Sequence, residues 1–185
     1  MLKAQNVCFD LETTSRWPRK AEIVEIAAVA FNYDARTRKE PVIVSSFQCL
    51  VKPKYNNPEA VKIHGITNEM LKDALSFKEV EPTFNSWLSE TTVKDFVWVG
   101  HNIRRYDLPI LKRQSCNKQR FDHAIFDTLE IARKVYTQQK RKNLVSLYTM
   151  LRGDSSGITA HRAMGDVTMN IVLACDELKL LNSSI

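Results

Sequence analysis

The first third of the chain combines strand-like stretches with polar connections. Positions 7–12 alternate between apolar and polar side chains, and positions 23–31 are rich in β-branched residues and alanine, so both stretches predict strands. The polar and basic connection at 13–20 contains Pro18 and predicts a loop, and positions 42–51 predict a third strand. Two prolines and two asparagines within positions 52–58 predict irregular chain after this strand.

Helical spacing of apolar residues dominates the rest of the chain. Thr67 can cap a short helix through Leu75, and apolar residues recur at helical intervals over positions 80–88. Positions 96–99 and 125–126 predict two more strands, and helices are predicted at 108–113, after a capping box at 127–130, at 144–151 and at 163–178. This order predicts one α/β domain over residues 1–185, with a mixed central sheet and helices packed on both of its faces.

Composition narrows the class of protein. The chain has 185 residues, of which 44% are hydrophobic and 26% charged, as in an ordinary globular domain. Its longest unbroken apolar run, at 26–31, is far shorter than the ~20 residues of a membrane-spanning helix, and the N-terminus lacks a signal-peptide pattern. We therefore expect neither secretion nor a membrane partner.

Glycine and cysteine usage argues against several kinds of site. The five glycines form neither GxxxxGK[ST] nor GxGxxG, which disfavours P-loop and Rossmann nucleotide binding. The four cysteines contain no CxxC pair, which disfavours a zinc ribbon, a thioredoxin-type site and a disulfide scaffold. A reducing intracellular compartment, cytoplasmic or nuclear, fits this pattern best.

Positive charge exceeds negative charge by a modest margin. Lys and Arg total 27 against 21 Asp and Glu, and the formal net charge of +6 is compatible with a polyanionic partner without requiring one. The basic run KRK at 140–142 is compatible with nucleic-acid contact, with a weak nuclear-targeting signal or with ordinary solvated surface. The sequence does not choose among these three.

Two acids lie on one face of the first predicted strand. Because side chains alternate along a strand, Asp10 and Glu12 point to one face of the sheet, whereas Phe9 and Leu11 point to the other. An exposed strand face or a salt-bridged pair explains such acids equally well. The pair becomes informative only together with other acids.

Two further acids and a histidine complete a candidate site. Asp107 opens a predicted helix, where an acid is a common cap, and Asp166 lies near the start of the last helix, five positions after His161. Unit charges ~4 Å apart repel by about 4 kcal/mol at an effective dielectric of about 20, so converging carboxylates need metal, basic neighbours or protonation. Oxygen ligands select Mg²⁺ or Mn²⁺, so we expect phosphodiester cleavage by paired metals, with His161 free to take a proton from the attacking water.

Three ordered motifs contain these residues. They are FDLET at 9–13, GHNIRRYD at 100–107 and HRAMGDV at 161–167, and IVEIAAV at 23–29 follows the first of them. Together they resemble the motifs of the DEDDh exonucleases, the DnaQ-like or RNase T superfamily of 3′-to-5′ exonucleases. The connecting segment from KP at 52–53 through IHGITNEML at 63–71 is similar to that of many members. The spacing of the second motif resembles the three-prime repair exonuclease branch.

This resemblance implies an RNase H-like fold and a metal-dependent enzyme that releases nucleoside 5′-monophosphates from a free, single-stranded 3′ end. It implies two Mg²⁺ or Mn²⁺ ions per active site. Asp10 would bridge both ions, Glu12 and Asp166 would complete one site, and Asp107 would support the other. His161 would be the general base.

The resemblance also implies residues that bind the substrate. Thr13 and His64 would lie beside the 3′-terminal nucleotide, and a turn-stabilising role for His64 is an equally good interpretation.

The sequence itself offers candidates for binding phosphates. They are Arg104 and Arg105, inside the second motif, and RWPRK at 16–20, and solvated surface is the alternative interpretation of both.

The expected partners are 3′ ends of single-stranded DNA or RNA, and the sequence does not choose between the two. A homo-oligomer is compatible with the sequence but not indicated by it. The alternatives are a non-catalytic nucleic-acid or protein-interaction module on the same fold, or an RNase H-like endonuclease. The presence of all five motif residues, and the spacing of His161 and Asp166, favour the exonuclease.

Overall fold

Within residues 2–37, 39–116 and 121–183, which the computed structural model describes, the chain forms five strands and six helices. The strands are β1 (Ala4–Thr13), β2 (Ile23–Asn32), β3 (Val42–Leu50), β4 (Thr92–Gly100) and β5 (Ala124–Asp127). The helices are α1 (Pro58–His64), α2 (Phe77–Thr91), α3 (Asp107–Gln114), α4 (Thr128–Val135), α5 (Leu144–Arg152) and α6 (Ala163–Ser183).

The strands form one mixed sheet in the order β3-β2-β1-β4-β5. β1 pairs antiparallel with β2, and β2 antiparallel with β3, whereas the β1–β4 and β4–β5 pairings are parallel. β1 is therefore the central strand, and its register places Glu12 opposite Glu25 of β2. The register shifts between Glu12 and Thr13, an irregularity of the kind that re-aims side chains at the end of a strand.

Helices cover both faces of the sheet because β1 is apolar on both faces. Val7, Phe9 and Leu11 belong to a core that also contains apolar residues of α2 and α3. Cys8, which points the other way, packs with Val167 and other apolar residues of α6. α4 and α5 join α6 through a smaller apolar cluster. The predicted mixed sheet with helices on both faces is confirmed.

The irregular chain predicted at 52–58 is found over 52–57, and Pro58 begins α1, a helix that the sequence analysis did not predict. Prolines and asparagines can start a helix as well as prevent one. Pro58 occupies the first turn, where its missing N–H costs no hydrogen bond, and the Asn57 side chain accepts the N–H of Glu59 at 3.0 Å.

The prediction of a short helix from Thr67 through Leu75 is wrong. This segment forms successive turns, in which the N–H of Lys72 donates to the carbonyl of Glu69 at 3.2 Å. The N–H of Lys52 donates to the carbonyl of Leu75 at 2.8 Å and draws the end of the segment against the chain that leaves β3. Tertiary pairing thus ends the turns before a helix can propagate.

Among the helices of the described ranges, none combines the length and hydropathy needed to span a membrane.

Candidate active site

Three of the four predicted acidic ligands meet at the end of β1. Asp10 and Glu12 share the face of β1 that α6 covers, and Asp166 lies in the first turn of α6. One carboxylate oxygen from each residue lies within 4.8 Å of the other two. The alternation along β1 supplies two of these side chains, and the packing of α6 on the sheet brings in the third.

Asp107, the fourth predicted acid, approaches β1 from another element. It is the first residue of α3, is 4% exposed, and accepts hydrogen bonds from its own backbone amide and from that of Leu11 in β1. Its charge contributes to the raised pKa of Asp10. Asp107 lies outside the group of described acids that meets within 4.8 Å.

Burial raises the pKa of every acid in this cluster, and repulsion from neighbouring acids adds to the rise for Asp10, Glu12 and Asp107. The pKa of Asp10 is raised first by burial and then by the charges of Asp107, Asp166 and Glu12. Burial, together with the charge of Asp166, raises the pKa of Glu12 to about 8, and burial raises that of Asp107 to about 8. Burial also raises the pKa of Asp166. At neutral pH the bare anions are therefore unfavourable without a cation.

The donor set fits a hard divalent cation. Asp10, Glu12 and Asp166 offer three carboxylate oxygens to one point. Mg²⁺ and Mn²⁺ prefer oxygen ligands and are held by a few carboxylates, with the remaining positions left for water and substrate phosphate. These three residues would hold one ion, and Asp107 lies close enough to Asp10 for its charge to raise the pKa of Asp10. Use of a divalent metal also agrees with the raised pKa values.

His161 lies on the exposed loop that leads into α6. Its φ is 59°, in the left-handed region, and its backbone N–H donates to Oδ1 of Asp166 at 3.4 Å. This conformation costs a non-glycine residue roughly 1–2 kcal/mol, so the contacts around the loop must maintain it. One such contact needs a glycine, since a Cβ on Gly165 would overlap the carbonyl oxygen of Thr159.

A buried carboxylate fixes the residue that follows His161. Arg162 donates from Nη2 to Oε1 of Glu25 at 2.8 Å and from Nε to Oε2 at 3.1 Å. Glu25 also accepts from the N–H of Ala163 at 3.1 Å and from the side chain of Gln48 at 2.9 Å. Burial raises the pKa of Glu25, but these hydrogen bonds outweigh burial, and the net pKa is lowered. Sequence reasoning missed Glu25, although a single charge within the apolar stretch 23–31 was the available signal.

Asp127, the last residue of β5, organises the loop of the second motif. Its carboxylate accepts the backbone N–H of Asn102 at 3.0 Å and that of Arg104 at 3.1 Å. The same carboxylate caps α4 through the N–H of Leu129 at 3.0 Å, as predicted from the capping box. Asn102 has a φ of 62°, so the second motif, like the third, contains a residue in the left-handed region.

A cavity of about 560 Å³ opens beside the acidic cluster, and we call it the active-site pocket. Its walls include Glu12 and Thr13 from β1, His64 from α1, and Tyr106. The Tyr106 hydroxyl lies 2.5 Å from Oγ1 of Thr13 and donates to the carbonyl of Ser15, also at 2.5 Å. Tyr106 thereby ties the first motif to the second, a role that sequence reasoning did not assign.

His64 is buried at the end of α1, between the pocket and a turn. Its Nδ1 accepts the N–H of Ile66 at 3.0 Å, so the neutral ring carries its proton on Nε2. Nε2 is buried without a hydrogen-bond partner among the described residues, and burial lowers the pKa of the ring. His64 thus stabilises the turn through one nitrogen and keeps a donor on the other.

The two adjacent arginines of the second motif have different surroundings. Nε of Arg104 lies 3.4 Å from Oε2 of Glu130, and its Nη2 donates to the carbonyl of Ile125 at 3.5 Å. Arg105 is exposed and lines a groove with Trp17. Binding of substrate phosphates by either residue stays a prediction.

Comparison with known proteins relates the whole chain to nucleases. The family model described as Exonuclease, RNase T, matches residues 7–174. A curated relative, the DNA polymerase III subunit epsilon of Aquifex aeolicus, is 29% identical over 172 residues, which cover 91% of this chain and 78% of that protein. The range matched by the family model, 7–174, contains the four predicted acids and His161.

Solved structures share the fold at lower identity. E. coli exonuclease I in complex with a dT13 oligonucleotide has a TM-score of 0.78 and 21% identity, over 98% of this chain and 42% of that chain. A 3′-exonuclease, described for its recognition of a histone mRNA stem-loop, has a TM-score of 0.73 and 17% identity, over 97% of this chain and 83% of that chain. The RNase H-like fold is thereby confirmed. Since the family match spans nearly the whole sequence, the chain belongs to the RNase T exonuclease family and is a nuclease of the DnaQ-like DEDDh type.

Proposed function

We propose that this nuclease is a metal-dependent 3′-to-5′ exonuclease that removes nucleoside 5′-monophosphates from a free, single-stranded 3′ end of DNA or RNA. The observation that carries the proposal is the meeting of Asp10, Glu12 and Asp166 within 4.8 Å, beside a pocket of about 560 Å³. That volume lies within the range of sites that enclose a small ligand such as a nucleotide. We further propose that residues 1–185 act as one exonuclease domain.

The acids position the ions and, through them, the scissile phosphate. Two Mg²⁺ or Mn²⁺ ions, when bound, polarise the phosphate and lower the pKa of an attacking water. Asp10, Glu12 and Asp166 would hold one ion, and Asp10 with Asp107 the other. The backbone of β1 keeps Asp10 and Glu12 in a fixed relation, because this strand pairs with β2 through both residues and with β4 as far as Cys8.

His161 is proposed as the group that removes the proton from the attacking water. It is exposed, so its ring is open to solvent and substrate, and its backbone is bonded to Asp166, one of the proposed ligands. A general base must reach the proton that it removes, and the link to Asp166 keeps the loop beside the ions. Glu25 acts as a positioning residue, because it fixes Arg162 and Ala163 immediately after the base.

The active-site pocket is proposed to hold the 3′-terminal nucleotide. Nε2 of His64 is a donor without a partner in the described part of the chain, and Thr13 and Tyr106 also line the pocket. The names of the similar proteins support a polynucleotide substrate, since one neighbour was solved with dT13 and another is described as a 3′-exonuclease that recognises a histone mRNA stem-loop. Because the first of these nucleic acids is DNA and the second is RNA, both substrates must be tested side by side.

The proposal is tested with 5′-labelled single strands of matched DNA and RNA sequence, with Mg²⁺, with Mn²⁺ and with a chelator. We expect a ladder that shortens from the 3′ end, release of 5′-monophosphates, no reaction with chelator, and no reaction when the 3′ end is blocked. Asp166→Asn is the inactive control.

Cleavage of a circular single strand at a rate comparable to the linear one would replace the exonuclease by the endonuclease alternative. Tight binding of the strands without any cleavage, in both metals, would favour the non-catalytic module.

A further inference from the structure

A second groove shares one lining residue, Trp17, with the active-site pocket. It has a volume of about 500 Å³. We call it the basic groove, and the residues that line it are Trp17, Pro18, Arg19, Lys20, Arg105 and Pro109. The loop after the first motif and the end of the second motif thus form one surface beside the proposed catalytic centre.

The basic groove carries uncompensated positive charge. Arg19, Lys20 and Arg105 are exposed, and no acid is among the six residues that line the groove. None of the three cations forms an ion pair within the described ranges, in contrast to Arg104, whose Nε lies 3.4 Å from Glu130. Free cations beside a polyanion-cleaving centre are placed to bind phosphates and to release counterions.

Trp17 offers an aromatic surface at the point where the two cavities meet. It is 60% exposed, which is unusual for so large an apolar side chain, and the guanidinium of Arg16 lies 5.1 Å from its ring centroid. Exposed aromatic rings among cations are typical of surfaces that bind single-stranded nucleic acid, because every base can stack on them.

The loop that carries these groups is held in place by backbone contacts. The N–H groups of Lys20 and Ala21 both donate to the carbonyl of Trp17, at 2.9 and 3.0 Å. The guanidinium of Arg113 in α3 donates to the carbonyl of Pro18 at 3.3 Å and also to that of Ala21. A surface organised in this way loses little conformational entropy when a ligand binds.

We propose that the basic groove binds the nucleotides that precede the 3′-terminal one, with a base stacked on Trp17 and phosphates bound by Arg19, Lys20 and Arg105. This inference rests on the proposed function, since it takes the terminal nucleotide to occupy the active-site pocket. It predicts that affinity and processive degradation depend on strand length, and that this dependence arises outside the pocket.

The test is equilibrium binding, in the Asp10→Asn background, of fluorescent single strands from about two to about ten nucleotides long. Trp17→Ala is expected to weaken binding of the long strands by about 5- to 100-fold, and Trp17→Phe to restore most of it, because the phenyl ring still stacks. Arg105→Ala is expected to reduce the slope of log affinity against log salt by about 0.7 for long strands. The charge-matched control is Lys78→Ala, on the exposed side of α2, which is expected to leave both quantities unchanged.

Three outcomes would overturn the groove proposal. The first is that Trp17→Ala and Arg105→Ala leave the binding of long strands unchanged, and the second is that they weaken the binding of the shortest and longest strands by the same factor. A polyglutamate peptide competing as well as an oligonucleotide would reveal a general surface for anions. The proposed function is judged separately, by metal-dependent cleavage of the short strands in the wild-type protein. Cleavage without length dependence removes the groove alone, and length-dependent binding without cleavage removes the exonuclease alone.

Discussion

Glu25 and Arg162 are joined by two hydrogen bonds, of 2.8 and 3.1 Å, across 137 positions of sequence. Glu25 stands opposite Glu12 in the sheet, yet it is not among the acids that meet at the metal-binding point. Its negative charge is instead matched by Arg162 and by the first N–H of α6. The ion pair with Arg162 therefore distinguishes Glu25, a structural carboxylate, from the proposed ligand carboxylates beside it.

Glu25→Gln should slow the chemical step more than it weakens substrate binding. The amide keeps the size of the side chain but loses the charge that holds Arg162, so the loop of His161 shifts. Misplacement of a catalytic group by about 1 Å can cost on the order of 100-fold in rate, and loss of the buried pair should cost about 1–3 kcal/mol of unfolding free energy, less than for a fully buried pair. Single-turnover rates and denaturant unfolding measure the two effects.

The matched control for Glu25→Gln is Asp34→Asn, which breaks an exposed ion pair with Arg36. That change should leave the free energy of unfolding nearly unchanged, because both side chains are exposed to solvent. A Glu25→Gln protein with wild-type single-turnover rate would show that the pair does not position the base.

His161→Ala should lower turnover by about 10²- to 10⁴-fold, because a general base contributes about that much, while metal binding is retained. The metal-induced rise in melting temperature should therefore persist in this variant and be lost or reduced in Asp10→Asn. A folded His161→Ala protein with wild-type single-turnover cleavage at saturating metal would refute the role of the histidine.

The left-handed backbone of His161 gives a second readout at the same position. At a φ of 59°, glycine relieves strain that alanine retains, so His161→Gly should be more stable than His161→Ala by roughly 1 kcal/mol. Both variants should be equally inactive, which separates the backbone from the ring. Equal stability would mean that contacts other than the loop conformation dominate.

Metal binding should reduce the dependence of the free energy of unfolding on pH. Burial and neighbouring charges raise the pKa values of Glu12 and Asp107 to about 8 in the fold, above their ordinary values of 4.5 and 3.8. Without metal, the folded state therefore binds more protons than the unfolded state. Its free energy of unfolding accordingly falls as pH rises from about 4 to about 8. A bound cation replaces these protons, and it adds about 2.7 kcal/mol when its free concentration is 100 times the Kd.

Calorimetry from pH 5 to pH 8, with chelator and with Mn²⁺, tests this prediction. The metal-induced shift should grow with pH and be smaller in Asp10→Asn, which removes one of the repelling charges. Because of that lost repulsion, metal-free Asp10→Asn should be at least as stable as the metal-free parent. An equal metal-induced shift in both proteins would remove Asp10 from the site.

Glu177 should be a source of instability at alkaline pH. It is fully buried in α6, neither carboxylate oxygen has a hydrogen-bond partner within the described residues, and burial, followed by the charges of Asp176 and Asp127, raises its pKa to about 9. Protonation is favoured in the fold, so its contribution to stability is lost as pH rises from its ordinary value of 4.5 towards 9. Glu177→Gln should raise the melting temperature at pH 8 in saturating Mg²⁺ and change it little at pH 5. An equal effect at both pH values would contradict this.

The strands and the principal acids could be predicted from the sequence because they depend on local periodicity. Two-residue alternation placed Asp10 and Glu12 on one face, and the start of α6 near position 163 was set by its apolar stripe. The helix at 58–64 was missed, because Asn57 and Pro58 are compatible with both a break and a cap.

The contacts that complete the site could not be predicted in the same way, because they join distant segments. The bonds of Glu25 to Arg162, of Asp127 to the second motif, and of Tyr106 to Thr13 depend on which strands become neighbours. A periodicity records only which face a residue occupies, not which residue will face it. The exposed ring of Trp17 shows the same limit, since only the fold brings it beside Arg105.

The central place of β1 in the sheet divides the site into parts with different opening free energies. The amides of this strand lie under two cores, between β2 and β4 as far as Cys8 and beside β2 through Glu12, so we expect them to exchange with solvent at a free-energy cost close to that of global unfolding. The loop ahead of α6 is exposed over most of positions 153–161, and such loops open locally at much lower cost. Asp10 and Glu12, the proposed ligands on β1, would thus keep a fixed geometry for the lifetime of the fold, whereas we expect the backbone around His161 to open far more often.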